Sequence, residues 1–567
     1  MQARQHTLRF CGVLSFFILS LIVFIFKLTY IQIFRSEHLS KLASRQHNYM
    51  IDLEPIRGTI YDRQLRPLAF NVTAASLYAN PRIMGQADKD KAVAELPALL
   101  GVSADFIQSK LSKNKYFVWV ERKLPQEKIK RIKALKIKGI GFRKESKRFY
   151  PNQSLAAHVV GFAGIDNQGL EGIELQYDHF LKGKEGWAQI LRDARQRELL
   201  IEKSYLPPED GFNIVLTIDE TIQFLAERAL DKAFQKHNAK WATIIVMDPK
   251  TGEILALANR PTYDVSQVEI ASIESRTNRA LSYTYEPGSV FKIVTAAAAL
   301  QEGTFKEVDK IDCENGSYRV GSHILHDAHP KGILTFQQVI EESSNIGTTK
   351  IAQKLGPTTF FKYADKFRFG HLTGIDLKGE VDGVLKNPSV WSKTSIAAVP
   401  IGQEVTVTPL QLVAAIAAIA NDGVYMKPFV VKYLKDNNNQ IIRSFEPQII
   451  DQVITVETSK RLKDILIGVV QDGTGKKAQI KGVSVAGKTG TSQKVVDGLY
   501  SHSKFFASFI GFAPAEDPQI AIVVVVDEPH PSYYGGTVAA PVFQEVAEDT
   551  LKYLQTVANP IEEYAIK

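Results

Sequence analysis

The sequence predicts an α+β protein hung from one N-terminal transmembrane helix. Three features predict it. An uncharged apolar run lies near the N-terminus. Strand-like segments bracket a helical middle between residues 226 and 557. A mixed stretch of short strands and charged helices, 56–225, separates the two. At 567 residues, 45% hydrophobic and 23% charged, the chain is folded but too long for one ordinary core.

Residues 10–26 form a 17-residue run without charge. As a helix the run spans roughly 26 Å, close to the hydrocarbon thickness of a bilayer. Lys27 can snorkel, and 28–34 stay apolar. The small-x-small site of a cleaved signal is missing from Lys27-Leu28-Thr29-Tyr30-Ile31-Gln32-Ile33-Phe34, so the segment reads as an uncleaved anchor. The expected order is a tail at 1–9, an anchor at 10–34 and a juxtamembrane linker at 35–55. Arg4 and Arg9 precede the run; Lys27, Arg35, Lys41 and Arg45 follow it. Charge counting therefore does not place the N-terminus inside. Net charge is +8, a mild excess compatible with an anionic membrane surface or polymer; no nucleic-acid motif accompanies it. The two cysteines, Cys11 and Cys313, are too differently placed to pair, and they do not indicate a compartment.

Arg57-Gly58-Thr59-Ile60-Tyr61-Asp62-Arg63 opens the body. The lysine-rich 126–138, after Pro125, reads as an exposed helix plus turn. Gly161, Gly169 and Gly172 suggest turns rather than a core. The alternating strand 213–219 leads into a helix at 220–234 capped by Asp219. In the second body, 241–248 and 253–258 form a hairpin across Pro249-Lys250-Thr251-Gly252. Helices are expected around 289–301, 335–355 and 408–421, then strands at 483–486, 505–512 and 520–526, and a closing helix at 542–556. Strands at both ends with helices between give one antiparallel sheet flanked by helices. A short tail, 558–567, is expected last.

The chemistry is concentrated in Glu286-Pro287-Gly288-Ser289-Val290-Phe291-Lys292, which runs into an alanine-rich helix. Residues three apart share a helix face, so a serine hydroxyl and an amine can meet. A lysine buried on the first turn loses proton affinity, and a neutral amine is a base for a neighbouring serine. Ser-x-x-Lys alone is weak: Ser112 with Lys115 and Ser501 with Lys504 match it in polar, solvated surroundings. Ser289 is set apart by Ser343-Ser344-Asn345 and Lys488-Thr489-Gly490-Thr491 downstream, which complete a trio in the order Ser-x-x-Lys, Ser-x-Asn, Lys-Thr-Gly. Against this stand bland readings: Ser343 as a helix cap, Asn345 as a turn residue, Lys488 as an edge-strand charge.

Two rivals come from the sequence itself. Gly482-Val483-Ser484-Val485-Ala486-Gly487-Lys488-Thr489 satisfies a phosphate-loop pattern, and the run ending Val526-Asp527-Glu528 imitates a magnesium-holding strand. The small and β-branched residues between the glycines suit a strand, and no amphipathic helix follows Thr489. A phosphate site needs that helix. His323-Ile324-Leu325-His326-Asp327-Ala328-His329 tempts a zinc reading, but flanking Gly321 and His329-Pro330 make it a hairpin or loop. No metal and no cofactor is expected.

The trio resembles the penicillin-binding proteins, and within them the class B, division-specific transpeptidases of the penicillin-binding protein 3 type. The likeness extends to the Arg57 motif, to Thr406-Val407-Thr408-Pro409-Leu410-Gln411-Leu412 and to Tyr533-Tyr534-Gly535-Gly536-Thr537. It implies an elongated, non-catalytic α+β pedestal at 56–225 and a β-lactamase-like transpeptidase domain at 226–557, outside the inner membrane at the division septum, with no glycosyltransferase activity. It implies D-Ala–D-Ala stem peptides as substrate, β-lactams as covalent inhibitors, and a membrane glycan polymerase and other division proteins as partners. Ser289 would be the nucleophile, Lys292 its base, Ser343 a proton carrier and Asn345 an orienting amide. Lys488 would press on Lys292 and, with Thr489, Gly490 and Thr491, hold the substrate carboxylate. A carboxypeptidase, a β-lactam hydrolase and a non-turning penicillin sensor would share these residues.

Overall fold

In the computed structural model, residues 2–39, 48–192, 198–321 and 323–558 are described. The chain divides into two compact units, residues 1–56 with 183–210, and 57–182 with 211–567. In the first, helix Gln2–Thr29 continues as a π-helical turn, Tyr30–Phe34. Its 31-residue stretch Arg4–Phe34 is long and apolar enough to cross a membrane. The same unit holds a three-stranded antiparallel sheet with Gly186–Arg192 between Asn48–Leu53 and Glu198–Leu206. The strand Asn48–Leu53 lies where only linker was expected. Part of that linker, 40–47, and the tail beyond Ala558 lie outside the described residues.

The second unit contains the expected sheet. Its five strands run in the order Ile254–Arg260, Trp241–Met247, Ile520–Asp527, Leu499–Ala513, Ala486–Val496, antiparallel throughout. Strands from both ends of the domain thus close one sheet. The central strand explains the valine run: Val523 and Val525 face one hydrophobic core while Ile522, Val524 and Val526 face the other. A strand buried on both faces shows no polar alternation. Helices Glu220–Lys236 and Ala540–Ala558 cover one side. Lys292–Gln301, Pro409–Ala420 and Val456–Gln471 pack on the other.

The pedestal sheet differs from a purely N-terminal element. Its order is Ile441–Ser444, Val431–Lys435, Asn213–Leu216, Ile60–Tyr61, Pro67–Ala79, Val118–Leu124, with Ile140–Phe149 also on Pro67–Ala79. Two strands from late in the chain thus extend it, pairing Leu434 with Ile214. A five-residue strand such as Val431–Lys435 carries too little pattern to reveal a partner more than two hundred residues away.

The glycine-rich stretch corrects one expectation. Gly161 and Gly172 do turn the chain, both at positive φ. Yet Val159, Val160, Phe162 and Ile173 between and around them are core. A Cβ on Gly161 would sit 1.9 Å from the Glu171 carbonyl oxygen, so the glycine marks two backbones in contact rather than solvent. Beside it, buried Arg57 is tied to Glu174 at 2.6 Å and Asp178 at 2.5 Å. Arg148 bonds the other Glu174 oxygen at 2.6 Å. The opening motif is therefore a buried charge hub, in which each ion is paired.

Candidate active site

Ser289 lies in a 3-10 turn, Gly288–Phe291, that feeds the helix Lys292–Gln301. The Lys292 N–H donates to the Ser289 carbonyl. An i→i+3 bond eclipses side chains three apart, so the turn puts Ser289 and Lys292 on one face, while the Lys292 Nζ hydrogen bonds among the described residues go to Ser343 and Asn345 rather than to Ser289 Oγ. Gly288 adopts φ +59°, and its carbonyl lies where a Cβ on Gly402 would be, 2.2 Å away. The lysine strand packs on the same turn. A Cβ on Gly490 would meet Val290 at 2.9 Å and the Pro287 carbonyl oxygen at 3.1 Å. The bare backbone of Gly490 is what lets Lys488 and Thr491 approach the serine.

The two lysines are both 0% exposed. Lys292 Nζ donates to the Ser343 carbonyl at 2.6 Å and to Asn345 Oδ1 at 2.8 Å, with Ser343 Oγ at 3.3 Å. Lys488 Nζ donates to Ser343 Oγ at 2.9 Å and to the Thr489 carbonyl at 3.2 Å. One hydroxyl thus sits between two buried amines. Burial is the main force on Lys292, lowering its pKa to about 7, against an opposing pull from Asp327 and then Cys313. Burial also lowers Lys488 far below the usual amine range, and the Lys292 charge adds to it. A neutral amine has two N–H groups and a lone pair. At Lys292 the Ser343 carbonyl and Asn345 Oδ1 occupy the two donors, leaving the lone pair for a hydroxyl.

Ser343 has a backbone φ of +60°, a conformation costly for a residue with a Cβ and found disproportionately at functional sites. It is not the cap of the next helix. Ser344 is, accepting from Gly347 N–H at 2.9 Å. Sequence reasoning missed what holds this turn. Asp327 Oδ1 accepts from the Asn345 N–H at 2.5 Å and the Ile346 N–H at 3.1 Å; Asp327 Oδ2 accepts from Ser344 Oγ at 2.7 Å. Asn345 Nδ2 donates to the His326 carbonyl at 3.0 Å. The histidine-bearing segment is indeed a hairpin, Ser317–Val320 with His323–His326. Its contribution is the carboxylate just beyond it, and an acid next to tempting histidines gave no signal of its own.

The remaining motif residues lie on Ala486–Val496. That strand begins later than 483, because Val483 only bridges Ile480. Thr489 Oγ1 shares a hydrogen bond with Thr474 Oγ1 at 2.7 Å, and Thr491 Oγ1 accepts from the Gly535 N–H at 3.0 Å. Thr491 keeps its own proton to donate. The phosphate-loop rival fails on geometry, since strand continues through Thr489 to Val496 where a helix is needed. Asp527 is pinned by Lys494 at 2.8 Å.

Comparison with known proteins agrees with this layout. Residues 242–548 match the penicillin binding protein transpeptidase domain, and 52–216 match the penicillin-binding protein dimerisation domain. Stage V sporulation protein D of Bacillus subtilis is 37% identical over 96% of this chain and 86% of its own length. The peptidoglycan D,D-transpeptidase FtsI of Escherichia coli is 31% identical over 96% of this chain and 91% of its own. The crystal structure of penicillin binding protein 3 from Mycobacterium tuberculosis, complexed with aztreonam, superposes with a TM-score of 0.70 at 29% identity, covering 89% of this chain and 97% of that one. The chain belongs to the class B penicillin-binding proteins and is a peptidoglycan D,D-transpeptidase.

Proposed function

We propose that Ser289 is the acylated nucleophile and that the transpeptidase works at the division septum, anchored by its N-terminal helix with both folded domains outside the cytoplasmic membrane. The observation that carries the chemistry is the pair of fully buried amines on one serine hydroxyl, beside the Ser289 turn. Neutral Lys292 takes the proton as Ser289 Oγ bonds the penultimate D-alanine carbonyl carbon. The proton then passes through Ser343, supported by Lys488, to the nitrogen of the departing D-alanine, and the C–N bond breaks. In the second half a neighbouring strand's amine attacks the ester. Its C–N bond forms, the ester C–O bond breaks and Ser289 Oγ recovers a proton. The Ser289 and Thr491 N–H groups supply the oxyanion hole, each donor worth on the order of 3 kcal/mol.

Lys488, Thr489 and Thr491, on a strand held close by Gly490, grip the substrate carboxylate. Asn345 orients Lys292. Holding a substrate amide as well would require its Nδ2 to leave the His326 carbonyl. The septal assignment rests on the division motifs and on the FtsI likeness, with a glycan polymerase and other division proteins as partners. The sporulation relative supports the alternative site of action, which imaging a fluorescent fusion in dividing cells distinguishes. The chemistry is tested by mass spectrometry of penicillin-treated protein. A long-lived adduct on the Ser289 peptide, absent from folded Ser289→Ala, is expected. An adduct elsewhere overturns the nucleophile, and rapid release to water favours a hydrolase.

A further inference from the structure

The pedestal carries a charge concentration that the reaction does not use. Residues 110–148 hold fifteen lysines and arginines against three glutamates, an excess of twelve where the whole chain has only eight. The rest of the chain is therefore net negative. This segment belongs to a lobe with its own core, Leu77, Ala92, Leu96, Ile107, Val120, Ile129 and Ile132.

The lobe's sheet has two unlike faces. Leu77 and Ala79 point into that core, under helices Gln86–Leu100, Ala104–Leu111 and Gln126–Ala134. The opposite face carries Tyr78 and its cross-strand neighbours Trp119 and Gly141. There Phe117 stacks on Tyr78 at 4.9 Å and meets Trp119 edge-on at 4.7 Å. Tyr116 and Phe117 are 52% and 40% exposed. Arginines lie on the rings: Arg82 is 4.5 Å from the Tyr116 ring centre, and Arg122 is 5.4 Å from that of Trp119. Lys113 and Lys115 directly precede the aromatic run, and Lys147 lies on the same face through its pairing with Val72, roughly 20 Å along the strand from Tyr78. All three are exposed, and no ion pair engages them among the described residues. Exposed, unpaired cations around flat aromatic rings suit a ligand that is anionic and has ring faces to stack.

We infer that this aromatic, cationic face of the pedestal docks the acidic peptide-bearing glycan on which the enzyme acts, away from the catalytic cleft. The carboxylates of stem peptides supply the negative charge and the sugar rings the stacking faces. A membrane surface is disfavoured because the rings are laid down rather than projected. Tyr78 lies across Gly141, where a Cβ would be 2.4 Å from the ring, and Arg82 covers Tyr116. The inference rests on the wall-polymer substrate, and its test reads binding separately from acylation.

The full chain in phosphatidylcholine nanodiscs, first acylated with penicillin to block the cleft, is pelleted with purified cell-wall sacculi. The retained fraction is expected to drop roughly tenfold between about 50 and about 200 mM salt, as counterion release dictates. A similar drop is expected in Lys113→Gln/Lys115→Gln/Lys147→Gln and a smaller one in Tyr116→Ala, all with unchanged penicillin labelling. Lys130→Gln/Lys136→Gln/Lys138→Gln removes equal charge from the helix side and should lose far less. Equal loss in both triple variants, unchanged pelleting in the first, or discs that float only with phosphatidylglycerol vesicles and ignore sacculi would each overturn the inference. Loss of labelling with pelleting intact would count against the catalytic reading alone.

Discussion

The lysines of the catalytic cleft and those of the pedestal lobe are one side chain under two dielectric conditions. Lys292 and Lys488 are sealed from water, so burial strips them of proton affinity and makes Lys292 a base near neutrality. Lys113, Lys115 and Lys147 stand in solvent and serve as point charges. What separates the two sets is packing. The bare backbone at Gly490 and the 3-10 turn at Ser289 press the cleft shut around its amines, while the lobe's helices pack on the Leu77 face of its sheet and leave these three lysines exposed. Charge count therefore says little about chemistry until burial is known.

The comparison breaks most sharply at Lys292. Lys292→Met should slow penicillin acylation by about 10³-fold or more, since a positioned base and its proton path are lost together; stopped-flow acylation measures it. Lys488→Met should cost roughly 10²-fold and leave the acid limb of the acylation profile in place, because burial keeps Lys488 uncharged where Lys292 titrates, and it is the Lys292 charge that lowers Lys488 rather than the reverse. Asp327→Asn does move that limb. Its charge favours the ammonium form of Lys292, so neutralising it should shift the rise in acylation to lower pH. It should also cost about 1–3 kcal/mol in denaturant unfolding, as the Asn345 and Ile346 N–H groups trade a charged acceptor for a weaker one. Single substitutions of exposed lobe lysines such as Lys130→Gln should leave stability within about 0.5 kcal/mol and acylation unchanged.

The legible parts were those written in local pattern. The apolar run, the Asp219 cap, the hairpin across 249–252 and the alternating strands all follow from periodicity and turn chemistry. The serine, lysine and asparagine triplets gave the cleft its members. What stayed hidden depended on contacts distant in sequence. Asp327 bonds a turn eighteen residues downstream, and nothing in its neighbours marks it. Strand Val431–Lys435 joins the pedestal through partners near residue 215. The Ser343 conformation could not be read either, because serine is permitted almost everywhere and the strain comes from its surroundings. The lysines of 126–138 were visible as a charged helix. Their place on a lobe with one stacked aromatic face required the pairing of Tyr78 with Trp119.

If an uncharged Lys292 activates Ser289, as proposed, second-order acylation by a penicillin must follow the titration of that amine. Across about pH 5 to 9 the rate should rise with a midpoint near the Lys292 value of about 7, as the amine gives up its proton. A profile that stays flat over that range, or climbs only above about pH 9 as for a solvated lysine, would contradict it.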